Sequence, residues 1–160
     1  MNFFEYIKKP ITGNDILNIV ERSVIENEQI LTQIQKDQWN KGEDKESKII
    51  GYYKPFTELV SKKSPLPNKP KIAGKPWNLD WTGDLKRSTH ISTRRIINDV
   101  LIQIDSTSKN LLPLFETIEK YGSISNPNTI FGYKPKNLDV VTRIINKDTL
   151  KKLKNKYNGM

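Results

Sequence analysis

Few side chains in this sequence can do covalent or acid–base chemistry, and their spacing does not assemble them. The single histidine, His90, lies in a run of strand-forming residues, and no cysteine occurs. No serine sits in a Gly-x-Ser-x-Gly frame, so a nucleophile–base pair has no recognisable scaffold. Two carboxylate pairs, Glu43/Asp44 and Asp80/Asp84, could share a proton or a cation. Neither has a second anchored acid or the stepped spacing of a cation loop, and Asp80 and Asp84 flank a glycine, which reads as turn chemistry. Gly51, Gly74 and Gly83 are isolated, so there is no phosphate loop of the Walker type. The expectation is a protein that is not an enzyme, with no cofactor, no metal and no small-molecule substrate. Lacking cysteine, it can have neither a disulfide framework nor a thiolate metal site, and a reducing compartment is permitted.

The chemistry that remains is electrostatic. The net charge of +9 is unevenly placed: residues 1–53 carry −2, 54–76 carry +5, 77–133 are neutral and 134–160 carry +6. Basic charge concentrated in a Pro-rich stretch and a tail suggests contact with an anionic partner, either nucleic acid or an acidic protein surface. Lys151, Lys152, Lys154 and Lys156 are the candidate contacts, the alternative being a merely solvated face.

The chain is organised around Trp77-Asn78-Leu79-Asp80-Trp81-Thr82-Gly83-Asp84-Leu85-Lys86-Arg87-Ser88. Trp77, Leu79 and Trp81 share a parity and would point to one face of an extended segment, while Thr82, Gly83 and Asp84 tolerate tight backbone angles and make the structural turn. Thr and Ile, then Val, enrich Leu85 to Ile91 and Ile96 to Ile104, with Arg94-Arg95 between, which predicts an antiparallel strand pair leaving the turn. Thr82-Gly83-Asp84-Leu85-Lys86-Arg87-Ser88 is preceded by Gly51-Tyr52-Tyr53-Lys54-Pro55-Phe56-Thr57 and a Lys- and Pro-rich segment. In this order the three parts resemble the Tyr-x-Pro-x-Thr, Lys-x-Lys and Thr-Gly-x-Leu-x-x-Ser pattern of small virion proteins of tailed bacteriophages, of the neck, head–tail connector or tail-completion type. The resemblance covers roughly residues 14–105; it departs at Trp81, where such proteins usually have an acidic or apolar residue. It implies a virion location, assembly in the host cytoplasm, a homo-oligomeric ring, and portal and tail or neck proteins as partners.

The elements that must position these residues can be read in order. Thr12-x-x-Asp15 is a helix start. Ile16, Ile19, Val20, Val24, Ile30, Leu31 and Ile34 then make a stripe predicting one long helix to Trp39 or Gly42, with Glu21, Glu26, Glu28 and Gln35 on the opposite, solvent- or subunit-facing side. Residues 42–48 read as a polar loop, and Ile49-Ile50 return to the core. A Pro-rich arm at about 62–78 prefers extension. It is either a mobile linker or, as preferred, an arm ordered on a neighbour, with Pro65, Leu66, Pro67, Ile72 and Trp77 as interface residues. Leu111 to Lys120 predicts a short helix with Pro113 in its first turn, stopping at Gly122. Ile130, Phe131 and Tyr133 tuck back from a loop. Beyond Asn137 strand and helix both fit; helix is favoured, with Leu138, Val141 and Ile145 as a stripe and Leu150, Leu153 and Tyr157 as an apolar edge.

The fold expected is therefore α+β: a long N-terminal helix, an extended arm, a small antiparallel sheet and C-terminal helices, in one domain over 1–160 with a basic tail at about 134–160. With 35% apolar residues the core is modest, which suits subunits that finish their burial in a ring. No apolar run approaches a membrane span and no signal-peptide pattern is present, so a soluble protein is expected. Two functions remain. One is a structural ring component joining portal and tail, with possible non-specific contact to packaged DNA. The other is a basic nucleic-acid-binding protein, although no helix-turn-helix, zinc or RNA-recognition motif accompanies the charge.

Overall fold

The computed structural model describes residues 12–65 and 70–158. The chain is mixed helix and sheet in the order α1 (Gly13–Glu26), α2 (Glu28–Asn40), α3 (Pro55–Lys63), α4 (Asp84–Ser88), β1 (Thr89–Ile96), β2 (Asp99–Ser106), α5 (Leu111–Tyr121), a 3-10 turn (Pro127–Ile130) and α6 (Pro135–Asn158).

Helix α1 begins where the sequence places it. The Thr12 hydroxyl accepts from the Asp15 amide at 3.1 Å and the Asp15 carboxylate accepts from the Thr12 amide at 3.2 Å, a reciprocal cap. The single long helix expected from the stripe is instead two helices. Asn27 turns its amide onto the Ser23 carbonyl at 2.8 Å and onto Asp148 at 3.2 Å, and its own backbone leaves the helical region. An Asn side chain that competes for helical carbonyls breaks the helix there. One face stays inward across the break: Val24 and Leu31, two helical turns apart, are fully buried, while Ile16 and Ile30 are exposed. Gln35, expected on the outer face, lies one turn beyond Leu31 and is in the interior.

Helix α2 connects two apolar clusters. One contains Val24, Leu31, Ile91, Val141 and Ile145, where α1, α2, the hairpin and α6 meet. The other contains Trp39, Ile50, Leu85, Ile118, Ile124 and Ile130, with Trp77, Leu79 and Phe131 against it. Between them polar side chains secure the return of the chain. Trp39 Nε1 donates to the Ile130 carbonyl at 2.7 Å, Gln35 donates to the same carbonyl at 3.1 Å, and the Gln35 oxygen receives the Gly132 amide at 3.2 Å. Tyr133 tucks back as expected, its hydroxyl donating to the Leu31 carbonyl at 3.0 Å.

The antiparallel pair is present, but its boundaries differ from expectation. Leu85 to Ser88 is helical, and Arg94 and Arg95 lie inside β1 instead of in the connection. The tight connection is Ile97-Asn98, with Ile96 opposite Asp99 and Thr89 opposite Ser106. A Ser88 hydroxyl that bonds the Asp84 carbonyl at 2.8 Å closes the helical turn that strand propensity alone did not predict. One face of the ribbon, through Ile91, Ile102 and Ile104, packs on α1 and α2. Glu28, expected to face outward, accepts the outward-pointing Ile91 amide at 3.0 Å.

Helix α5 runs from Leu111 to Tyr121 and stops at Gly122, as expected. The C-terminal segment is helical without interruption through Asn158.

Candidate binding cleft at the central turn

Gly51–Tyr53 and residues 74–77 run side by side. The Tyr53 amide donates to the Lys75 carbonyl at 3.0 Å, the Gly74 amide to the Tyr53 carbonyl at 2.9 Å, and the Trp77 amide to the Gly51 carbonyl at 2.8 Å. The indole of Trp77 rests on Gly51, where a Cβ would fall within 2.9 Å of three ring carbons. Tyr53 continues the joint, its hydroxyl donating to Asn78 Oδ1 at 2.8 Å and receiving the Asn78 amide at 3.2 Å. The separate sequence signals at residues 51–57 and 77–88 thus form one structural unit.

Residues 70–77 of the Pro-rich segment are held by the same unit, where the sequence reading expected an arm ordered only on a neighbour. The Lys71 amide donates to the Ser61 hydroxyl at 2.8 Å and the Ala73 amide to Glu58 at 2.7 Å, both acceptors lying on α3. Helix α3 itself was not read from the sequence, although Pro55 at its first turn is a usable start signal. Of the candidate interface residues, Pro65 and Ile72 are exposed, Trp77 is partly buried against its own core, and Leu66 and Pro67 lie outside the described residues.

Gly83 has φ 72°, the left-handed conformation expected of the turn, and is the residue before α4. The chain then leaves as a helical turn: the Arg87 amide returns to the Gly83 carbonyl at 3.0 Å and the Asp84 amide to the Thr82 hydroxyl at 3.2 Å. The Asp84 carboxylate accepts from the Ser108 hydroxyl and from Asn110 Nδ2, tying the turn to the segment after β2. Asp80 pairs with Lys86 at 3.3 Å, so these two acids are structural, as expected. The other candidate pair divides in the same way. Asp44 is fully buried and accepts from the Glu46 and Lys48 amides and the Thr129 hydroxyl at 2.8–2.9 Å, while Glu43 pairs with Lys134.

Trp77, Leu79 and Trp81, which share a face in the sequence reading, all line one cleft of about 260 Å³ between α3 and α5. Leu79 reaches it through φ 49°, a left-handed backbone unusual for leucine. The wall is mainly apolar, with Asp80 and Asp84 on its lining. Such a cleft can hold an apolar or aromatic side chain. His90 is in β1 outside it, and among the described residues no group of His, Asp and Glu is placed to hold a metal ion.

The sequence reading missed Lys71. It is buried, and Nζ donates to Asn78 Oδ1 at 2.9 Å and to the Asp80 carbonyl at 2.5 Å, 5.6 Å from the Tyr53 ring centre. Burial pushes its ammonium below the ordinary lysine range, against the pull of Asp80. Lys86 is lowered for the same reason. No sequence pattern distinguishes Lys71 from its exposed neighbours.

The tail lysines do not form one free face. Lys152 pairs with Glu26 at 2.8 Å and with Asp148, and Lys156 with Asp15 at 2.7 Å, so two of the four tie α6 to α1. The Lys156 hydrogen bond, with those of Thr12, lowers the Asp15 carboxyl to about 2. Lys151 and Lys154 are exposed. The apolar side of α6 is Val141, Ile145 and the partly apolar Thr149; Leu138 and Leu150, expected on apolar edges, are exposed. The acidic front and basic tail of the chain, read as separate charge blocks, therefore neutralise each other in part. Among the described residues no helix is long and apolar enough to cross a membrane.

No family model, curated protein or solved structure matches the chain.

Proposed function

We propose that the protein is a structural component of a tailed-phage virion, a neck, head–tail connector or tail-completion subunit that forms a homo-oligomeric ring between portal and tail. The observation that carries this reading is Ile97. It is the first of the two residues connecting β1 and β2, has φ 50°, and is 89% exposed. Hairpins place Gly, Asn or Asp at such positions, because a left-handed backbone costs a β-branched residue about 1–3 kcal/mol. An apolar side chain held outward at that cost is accounted for by a contact outside the subunit. Phe56 on α3 and Leu112 on α5 are also about three-quarters exposed, giving further apolar surface for neighbouring copies to bury. The motif resemblance at residues 51–57 and 82–88 supplies the kind of assembly. The internal pairing of Lys152 and Lys156 favours this reading over a dedicated nucleic-acid-binding protein, since only Lys151 and Lys154 of the four remain for an anionic neighbour or packaged DNA.

Ile97→Gly separates the two roles of the tip. The variant is expected to melt higher than wild type as a monomer and to assemble less with purified portal rings, read by native mass spectrometry and electron microscopy. A variant that assembles like wild type removes the support drawn from Ile97. Sequence-selective nanomolar duplex binding at physiological salt, with no association to portal or to itself, would put the nucleic-acid reading in its place.

A further inference from the structure

A second pocket, of about 420 Å³, shares Tyr53 with the apolar cleft and lies between the C-terminal end of α2 and residues 70–78. Its lining includes Asn40, Lys41, Lys71, Lys75 and Asn78, and no carboxylate. The hydrogen bonding makes this lining richer in donors than its composition suggests. Asn78 Oδ1 is already taken by the Tyr53 hydroxyl, the Lys71 ammonium and the Asp80 amide. Asn40 Oδ1 is taken by Lys86 at 2.6 Å. With both amide oxygens committed, each Asn has its N–H groups left to offer. Lys71 has three N–H donors, of which two go to Asn78 and Asp80; among the described residues no third acceptor meets it. Three lysines, two amide donors and no acid lining the same space are complementary to an oxyanion and to little else.

We propose that this pocket is an oxyanion site that takes a phosphate group, with Lys71 as its buried anchor and Lys41 and Lys75 as its outer contacts. Burial holds the Lys71 ammonium below its ordinary range, and an anion bound beside it relieves that penalty. The phosphate chemistry is shared by two sources, a phosphodiester of a nucleic-acid backbone and a free phosphate ion. The site does not rest on the neck reading: its ligand is set by the pocket alone.

The test titrates sodium phosphate into the full chain against sodium chloride at matched ionic strength, reading amide chemical shifts and thermal unfolding. Saturable shifts at Ile72, Lys75 and Asn78 and a rise in Tm specific to phosphate are expected. Lys41→Gln with Lys75→Gln, both surface changes, is expected to weaken phosphate binding by about tenfold or more while leaving Tm in chloride unchanged. Lys71→Gln, if folded by the same spectra, is expected to abolish the shifts. Phosphate acting no differently from chloride, or acting equally on the outer double variant, overturns the proposal. A short duplex that displaces phosphate from the same amides identifies the phosphodiester source. A duplex that leaves them unmoved while phosphate binds identifies the free ion.

Discussion

Replacing Gly51 by alanine tests the joint on which the cleft depends. An ideal Cβ at this position falls 2.8 Å from Trp77 Cδ2 and 2.9 Å from Cε2 and Cε3, whereas ordinary contact begins at 3.4 Å. The indole must therefore retreat by about 0.6 Å, the difference between 2.8 and 3.4 Å, as a rigid ring rather than by bending a flexible end. Its retreat is opposed on the backbone side by the Trp77 amide bond to the Gly51 carbonyl at 2.8 Å, and on the ring side by the cluster of Ile50 and Leu85. Overpacking of this kind costs about 1–3 kcal/mol. At about 2–4 °C per kcal/mol for a chain of this size, Tm falls by about 2–12 °C. Circular dichroism gives the melt, and the near-ultraviolet spectrum reports the displaced indole. Gly74→Ala is the control: φ 78° strains an alanine there, but nothing lies within 4 Å of its Cβ, so it costs about 1 kcal/mol and leaves the tryptophan signal alone. If Gly51→Ala were no more harmful than Gly74→Ala and its near-ultraviolet spectrum matched wild type, the Trp77–Gly51 contact would not be holding the turn.

Replacing the buried Gln35 by alanine leaves the partly buried Gly132 amide without its acceptor and opens a cavity, at a cost of about 2–4 kcal/mol in urea unfolding; a loss below about 1 kcal/mol contradicts the role assigned to it. Lys152→Gln breaks the link from α6 to Glu26 and Asp148 and lowers Tm, whereas the double change Lys151→Gln, Lys154→Gln is neutral in thermal melts; equal losses would mean that α6 does not dock through Lys152. The Asp15 carboxyl is lowered from an ordinary 3.8 to about 2 in the folded chain, so its stabilising effect is complete above the ordinary value and is lost as the pH falls through about 2. Melting curves across that acid range should lose part of their slope in Asp15→Asn, and an unchanged slope would remove Asp15–Lys156 as a contributor.

What the sequence alone determined was local. Thr12 and Asp15 are three apart and cap each other whatever the rest of the chain does. Gly83 accepts a left-handed backbone because it lacks a Cβ, whereas Trp77, Leu79 and Trp81 share a wall through a left-handed backbone at Leu79 and not through the alternation of an extended segment. The mixed helix and sheet content, the hairpin and the stop of α5 at Gly122 likewise follow from short-range periodicity and turn chemistry. Tertiary structure decided the rest, because it depends on partners far away in sequence. The break at Asn27 is stabilised by Asp148, 121 residues on. Gln35 is buried because the carbonyl of Ile130 and the amide of Gly132 need it; its spacing four residues from both Leu31 and Trp39 was the one sequence signal of this. The Pro-rich segment becomes a strap because Ser61 and Glu58 accept its amides, and Lys71 becomes a buried cation only when Asn78 and the Asp80 carbonyl surround it. Lysines identical in the sequence thus separate into an anchor at position 71, docking groups at 152 and 156, and exposed charge at 151 and 154. The sorting is done by the acceptors that long-range packing brings to each.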